Sequence, residues 1–584
     1  VERNKKLSYW KNKDSCAVFS SLALAREGHI LVFYYKQFLG KKRVMKKSIG
    51  TITEGSLVEG LTMKVAPDTA LDTLKTGKFV SIICAENTFF CLMTDIALHV
   101  SNPDILLYPP TEKETLLLSI LKHRSMYATA QLKPMVMLQK KSGDIIPVKT
   151  VPGHFAKVFE ATQQDIAMIF GDEYEKSGKF FRIGAPLDME ASICIDLERL
   201  TERSTGIFGK TGTGKTFLTR LILAGLIHRK KAVTLIFDMH SEYGLQARKE
   251  GPGNSFIKGL KTLFPDRVVI FSLDPASTRR RGASADVEIT FSYQDVHVDD
   301  IMSLQQELNL HSTAVEAAYL INTKYKHQWL EVLLAQTDLK EFAASLGAHP
   351  ESIAALYRKL KRIERFPFFK ASAVPYNAAV QRATSVIDQM MEYLLRGVNV
   401  CVEFGNYTST FCYLLISNMI TRRIHSEYIA QTEKFLGSQN KGDEPTKLMI
   451  CIEEAHKFLN PAAARQTIFG TIAREMRKYY VSLLVVDQRP SGIDQEIISQ
   501  LGTKIVAQLS DEHDIQAVLT GTANASALRS VLSTLDTKKQ ALVLGHAVAM
   551  PVVVQTREYD ETFYRDVQSV VTFKDIDQIV KELF

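Results

Sequence analysis

The sequence predicts an α/β fold in which a mostly parallel sheet follows a small β-rich domain and is interrupted by an all-helical stretch. Three observations carry this. Gly209-Lys-Thr-Gly-Thr-Gly-Lys-Thr216 fits the pattern G-x-x-x-x-G-K-[ST] without a mismatch, with a strand-like run Thr205–Phe208 before it and helically spaced apolar residues Phe217–Ile227 after it. Downstream, Val233–Phe237, Val398–Phe404, Leu448–Ile452 and Val481–Val486 are short apolar runs, as expected of strands covered on both faces. Between Val298 and about Leu395 the strand signal disappears, and apolar residues recur at three- and four-residue spacing.

The loop motif has a physical reading. Its glycines let the backbone curl so that N–H groups converge on phosphate oxygens, and the following helix adds its positive end. Lys215 would reach the β- and γ-phosphates and Thr216 would ligate Mg²⁺. The motif implies binding of a nucleoside triphosphate, with Gly209, Lys210, Thr211, Gly212, Thr213, Gly214, Lys215 and Thr216 around its phosphates.

Size and composition set the frame. A chain of 584 residues has room for three or four domains. With 46% hydrophobic and 23% charged residues it can bury large cores. The net charge of +8 permits a basic channel for nucleic acid without establishing one. Seven scattered cysteines, never spaced C-x-x-C, argue against a disulfide framework or zinc site and for a reducing compartment. No apolar run approaches a membrane span; Ser21–Tyr35 is broken by Arg26 and Glu27. A cytoplasmic protein without membrane contact is expected.

Along the chain, residues 1–44 hold ten Lys/Arg against three acids, and the first methionine is Met45. A basic arm and a transit peptide are two readings; the preferred expectation is that part of this leader is not native and that the working protein begins near Met45. From Lys46 to about Val158, Ser48–Thr53, Leu61–Val65, Phe79–Ile83 and Thr88–Met93 read as strands between close turns, a small barrel or sandwich, with one helical patch at Glu114–His123. Phe181–Gly184 and Ile193–Asp196 lead into the phosphate loop. Asp238 reads as a cap, His240 as a packed histidine, and Arg279–Arg281 as a solvated cluster after the strand Arg267–Ser272. Tyr357–Arg365 gives one helix of the insertion a basic face. A helix over Phe411–Ile424 and a linker over Gly437–Pro445 precede the strand Leu448–Ile452.

That strand ends in Glu453 and Glu454. An acid at this position holds a water on Mg²⁺, and a second polarises the attacking water. Arg474 and Arg477 share a helix face, and Gln488, after the strand Val481–Val486, could bond the γ-phosphate or attacking water.

Together, Arg203–Thr216, Asp238–Tyr243, Ile452–His456, Arg474–Lys478 and Asp487–Ser491 resemble the HerA branch of the HerA/FtsK ATPases, over nearly all of Ser48–Tyr559. The resemblance implies a RecA-like P-loop core, an N-terminal HAS-type β-barrel and an all-helical insertion. The implied division is a leader over 1–44, barrel over 45–160, core over 161–295, insertion over 296–395, core again over 396–560, and a helical tail over 561–584. It further implies a homo-hexameric ring that hydrolyses ATP with Mg²⁺ and translocates or unwinds DNA, often with a NurA-like nuclease in DNA end processing, or with another effector in antiviral defence. Thr216 and Glu453 would serve the metal, Glu454 would be the base and Gln488 the sensor. Arg474 or Arg477 would act within the subunit, and Arg203 would be offered to a neighbour. An ATP-gated scaffold and a secretion or conjugation ATPase are the alternatives. Met239, Ser241 and Lys538–Ala541 depart from the family pattern, where proline, glycine and a Gly-Glu pair are frequent.

Overall fold

The computed structural model describes residues 48–107, 109–110, 116, 120–121, 125–187, 189–248, 256–371, 385–522, 525–536 and 539–568, without the side chains of 476, 477, 526 and 527. The expected leader, most of the Glu114–His123 patch, residues 569–584 and the departure at Lys538 lie outside the described residues.

The N-terminal strands close into a barrel. Ser48–Ser56, Gly60–Val65, Phe79–Ile83, Asn87–Val100, Met126–Gln139 and Lys157–Glu160 form an antiparallel ring, closed by pairing of Gly60–Val65 with Met126–Gln139. A short strand, Ile145–Pro147, is added to Met126–Gln139. Gly50 has no room for a side chain, because a Cβ would lie 2.4 Å from the Lys64 carbonyl oxygen of the neighbouring strand. In Asn87–Val100, Phe89, Cys91 and Met93 point into the barrel, whereas Phe90 and Leu92 join the core of the rest of the chain. Alternation sends successive side chains to opposite faces, so this strand is apolar on both because each faces a different interior. Phe79 likewise packs edge-on against Phe170, at 5.8 Å, in the capped helix Gln163–Phe170.

The second sheet has twelve strands. Its parallel part runs Val287–Glu288, Val268–Ser272, Asn399–Glu403, Val233–Asp238, Leu448–Glu453, Val481–Asp487, Thr205–Phe208 and Thr503–Ala507. Four antiparallel strands continue it, Gln540–Gly545, Val552–Thr556, Phe180–Ala185 and Ile193–Asp196. Registers pair Phe208 with Asp487, Asp238 with Glu403 and Glu453 with Val486, so the carboxyl ends that carry the motifs share one edge. In open sheets of this kind ligands bind at that edge.

The region Val298–Leu395 is mainly helical, with Ser312–Tyr325, Leu339–Leu346, Pro350–Leu360 and Val386–Leu395 as its longer helices. The expected single helix through Arg365 instead ends at Leu360 and tightens into a 3₁₀ turn over Lys361–Arg365. The helix expected to stop at Ile424 continues, spanning Thr410–Ser438. Its second half is polar but keeps Tyr428 and Thr432 buried one turn apart, enough of a stripe to hold it down. Arg279 and Arg280 close a short helix, Pro275–Arg280, and are exposed as expected, whereas Arg281 departs from the solvated reading by pairing with the buried Glu403.

A buried ion pair helps tie the insertion to the long helix. Asp300 is fully buried and receives both Nε and an Nη of Arg422, at 2.8 and 2.7 Å, and the His297 N–H at 2.9 Å. Removing one partner of such a pair strands the other without water. Arg422→Met is expected to lower unfolding free energy by about 3–5 kcal/mol, with much of the loss recovered by adding Asp300→Asn. Urea melts of the two proteins check this; equal stability of Arg422→Met and the parent would show the pair to be idle.

Candidate active site

The phosphate loop leaves its strand between two neighbours and is anchored to both. The Gly209 N–H donates to the Asp487 carbonyl at 3.3 Å and the Lys210 N–H to the Gln508 carbonyl at 3.1 Å. Within the loop, Thr213 Oγ1 donates to the Lys210 carbonyl at 2.7 Å. Gly212 and Gly214 adopt φ of 80° and 95°, the left-handed region that a side chain would strain. Helix Lys215–Arg229 begins at Gly214 with no side-chain cap, so its first N–H groups remain for an anion.

Four acids end the neighbouring strands, and three are fully compensated. Asp238 accepts the N–H groups of Glu242, Tyr243 and Gly244 at 2.7–2.9 Å, capping a turn rather than a helix. Ser241, where glycine is frequent in the resembling family, holds φ of 57° in that turn; the three bonds outweigh the roughly 1–2 kcal/mol such a conformation costs a residue with a Cβ. Asp487 accepts the N–H groups of His456 (2.6 Å) and Arg489 (2.7 Å) and contacts His456 Nδ1 at 3.0 Å. Glu403 has Arg281 and the Thr278 hydroxyl, the latter at 2.7 Å.

Glu453 is the exception. Tyr243 donates its hydroxyl to Oε1 at 2.5 Å, while Oε2 is buried without a hydrogen bond. Burial, reinforced by the charge of Asp238, pushes its carboxyl up to about 8. This orphaned oxygen, on a carboxyl that feels the charge of Lys215, fits a cation. Mg²⁺ could bind Thr216 directly and reach Glu453 through one of the waters it keeps. Thr216 Oγ1 already donates to Glu242 Oε2 at 2.9 Å, which turns its lone pairs away from that carboxylate. Among the described residues no group of three or more His, Cys, Asp or Glu side chains could hold a metal by itself.

Glu454 and Gln488 come together. Glu454 has φ of 48°, a strained setting of the kind found where geometry serves function. The Gln488 amide nitrogen lies 3.4 and 3.5 Å from the two Glu454 oxygens, and its Oε1 accepts the Thr211 hydroxyl at 2.8 Å. A polar chain thus runs from the phosphate loop to Glu454. His456 Nδ1 flanks Glu454 Oε2 at 3.5 Å, and its hydrogen bond to Asp487 raises its pKa above the usual histidine value.

The arginines are dispersed. Arg474 donates to the Ala464 carbonyl at 2.9 Å and pairs with Glu496 at 3.5 Å, and neither bond leads to the phosphate loop. The Arg477 side chain lies outside the described residues. Arg203 is exposed at the start of its strand, against Gly502. At roughly 3.3 Å per extended residue it stands about 20 Å from Gly209, at the far end from the phosphates.

Two tyrosines absent from the sequence reading fix Glu453. Besides Tyr243 on its side chain, Tyr413 accepts the Glu453 N–H at 3.1 Å and donates to the Glu453 carbonyl at 3.2 Å. Tyr243 lay within a motif that was noticed; nothing in the spacing of Tyr413, some forty residues from the acid, points to it.

Residues 181–424 match the family described as "DUF87: Helicase HerA, central domain". Over these residues the chain resembles the HerA type. It is 21% identical over 442 residues to the DNA double-strand break repair helicase HerA of Pyrococcus furiosus, covering 72% of this chain and 76% of that protein. It is 25% identical over 423 residues to the protein of that name from Saccharolobus solfataricus, covering 70% and 73%. Among solved structures, the conjugative coupling protein TrwB aligns with a TM-score of 0.43 at 10% identity (69% of this chain, 93% of that one). VirB4 of Thermoanaerobacter pseudethanolicus aligns at 0.41 and 13% (65% and 97%). The chain is an ATP hydrolase with a P-loop core.

The state of Glu453 has a measurable sign. Its folded pKa of about 8 lies above the ordinary 4.5, so the fold by itself favours the protonated form. That contribution is complete below the unfolded value and is lost as pH rises through the folded one. Glu453→Gln, a fixed neutral replacement, should therefore gain on the parent between about pH 5 and 8 and hold its advantage above. Thermal melts at several pH values check this; parallel curves for the two proteins would mean that Glu453 is already ionised.

Proposed function

We propose that this protein is an ATP-driven DNA translocase or helicase that works as a homo-hexameric ring in the cytoplasm. It would process DNA ends with a NurA-like nuclease, or serve antiviral defence with another effector. The observation that carries the reading is the polar chain Thr211–Gln488–Glu454 beside the uncompensated Glu453, which gives a bound nucleotide both a place for its metal and a base for its water. The names of the relatives, DNA double-strand break repair helicases, supply the substrate.

In this reading Lys215 neutralises the β- and γ-phosphates, Thr216 and Glu453 would hold Mg²⁺, and Glu454 takes the proton of the attacking water. Gln488 reports the γ-phosphate to Glu454. When bound, Mg²⁺ would offset the negative charge on the phosphate oxygens. Arg474 or Arg477 would serve the phosphates of the same subunit after a rearrangement that frees it. Arg203, too far from its own phosphate loop, reaches the neighbour's across a head-to-tail interface that closes into a ring.

Hydrolysis measured with and without duplex DNA, together with particle mass, tests the whole. A monomer indifferent to DNA would overturn it. Lys215→Ala is expected to lose ATP binding or hydrolysis. Glu454→Gln should bind ATP and turn over slower by roughly two orders of magnitude or more; near-normal turnover removes it from the role of base.

Arg203→Ala should bind ATP yet hydrolyse it roughly 10³- to 10⁵-fold more slowly. Co-assembled with Glu454→Gln it should regain activity, because some interfaces then pair an intact Arg203 with an intact Glu454. Full activity of Arg203→Ala alone would exclude it as the residue supplied in trans.

A further inference from the structure

The segment Arg358–Lys370 carries six cations (Arg358, Lys359, Lys361, Arg362, Arg365, Lys370) against one acid, Glu364. Compensation of a helix dipole accounts for basic residues in the last turn of Pro350–Leu360, that is for Arg358 and Lys359. It does not account for the four that follow the helix.

Their partners separate them into two groups. Arg362 stacks over the Phe411 ring at 4.5 Å, and Lys361 meets the Tyr357 hydroxyl at 2.6 Å and Glu364 at 3.9 Å. Arg358, Arg365 and Lys370 are exposed, and among the described residues none has a carboxylate partner; Arg358 bonds only the Ala354 carbonyl. The following stretch, 372–384, contains Arg382 and no acid in its sequence.

The backbone beneath these free charges is pinned. Phe368 packs on Tyr407 at 5.0 Å, Phe366 lies 6.0 Å from Tyr407 and 6.2 Å from Phe411, and Phe369 stacks with Tyr293 at 6.2 Å. Phe369 and Lys370 also pair as a short parallel strand with Phe291 and Ser292. Uncompensated cations held on a rigid base lose little freedom on binding a polyanion, and evenly repeated phosphate is the ligand such a strip suits. The strip adjoins Tyr407 and Phe411, which follow the strand Asn399–Glu403 at the edge of the sheet that holds the ATP site.

We propose that Arg358–Lys370 is a contact surface for the phosphate backbone of DNA, with Arg358, Arg365 and Lys370 as its charged contacts. The proposal rests on the translocase reading and names where in the chain the DNA is held. Because phosphate contacts carry no base information, binding here is indifferent to sequence.

The test uses the full chain, a labelled duplex of mixed sequence and salt from about 50 to 200 mM. Each phosphate contact contributes about 0.9 to the slope of log affinity against log salt. For each subunit engaged with the duplex, the variant Arg358→Gln/Arg365→Gln/Lys370→Gln should lower the slope by about 2.7, and each single change by about 0.9, with weaker binding. Arg358→Lys/Arg365→Lys should keep the parent slope. An unchanged slope in the triple and single variants overturns this assignment and leaves the translocase reading standing. A parent that binds no duplex overturns both. Uptake of polyglutamate with the same dependence on the three residues would make the strip a seat for an acidic protein segment and overturn the assignment to DNA.

Discussion

Carboxylates crowded at a dry sheet edge are the constraint around which the core is arranged. Asp238, Glu403, Glu453 and Asp487 are each 7% exposed or less and end strands that lie side by side in the parallel sheet. Uncompensated, such charges would not remain ionised together. The surrounding loops take the conformations that answer them: a turn wraps three N–H groups around Asp238, the chain after Glu454 folds back so that His456 meets Asp487, and Arg281 reaches in to Glu403. One acid is left short. The deficit at Glu453 leaves this edge short of positive charge, which a divalent cation would supply.

This arrangement explains how the departure at Ser241 is accommodated. Ser241 keeps a positive φ, at 57°. The backbone geometry that glycine would adopt freely is imposed by the surrounding bonds, and a side chain is carried there at a cost the neighbouring contacts offset.

Much of this was legible in the sequence, for reasons that differ by element. The strands of the parallel sheet showed themselves because burial on both faces leaves few polar residues in them, and the phosphate loop because its chemistry admits few residue types at fixed spacing. The second half of the helix Thr410–Ser438 did not, since a stripe as thin as Tyr428 and Thr432 leaves little periodic signal. The strands Met126–Gln139 and Thr503–Ala507 also passed unmarked. In the site, Lys215, Thr216, Glu453, Glu454 and Gln488 could be named because each lies at the end of a recognisable strand or loop. Tyr413, Arg281 and the Glu242–Thr216 bond could not, because they depend on which elements pack together, and a single sequence does not record that.

The bracket that Tyr413 places on Glu453 has a mechanical meaning. Its hydroxyl occupies both main-chain groups of the acid, so the strand end is fastened to the first turn of a 29-residue helix that is about 44 Å long. The same helix is clasped near its start by Arg362 on Phe411 and further along by Asp300 on Arg422. It therefore acts as a push-rod. Any force that slides it along its axis must either break two buried hydrogen bonds or move Glu453 relative to Thr216, so a tug on the helical insertion is converted directly into a change of spacing where the metal would sit.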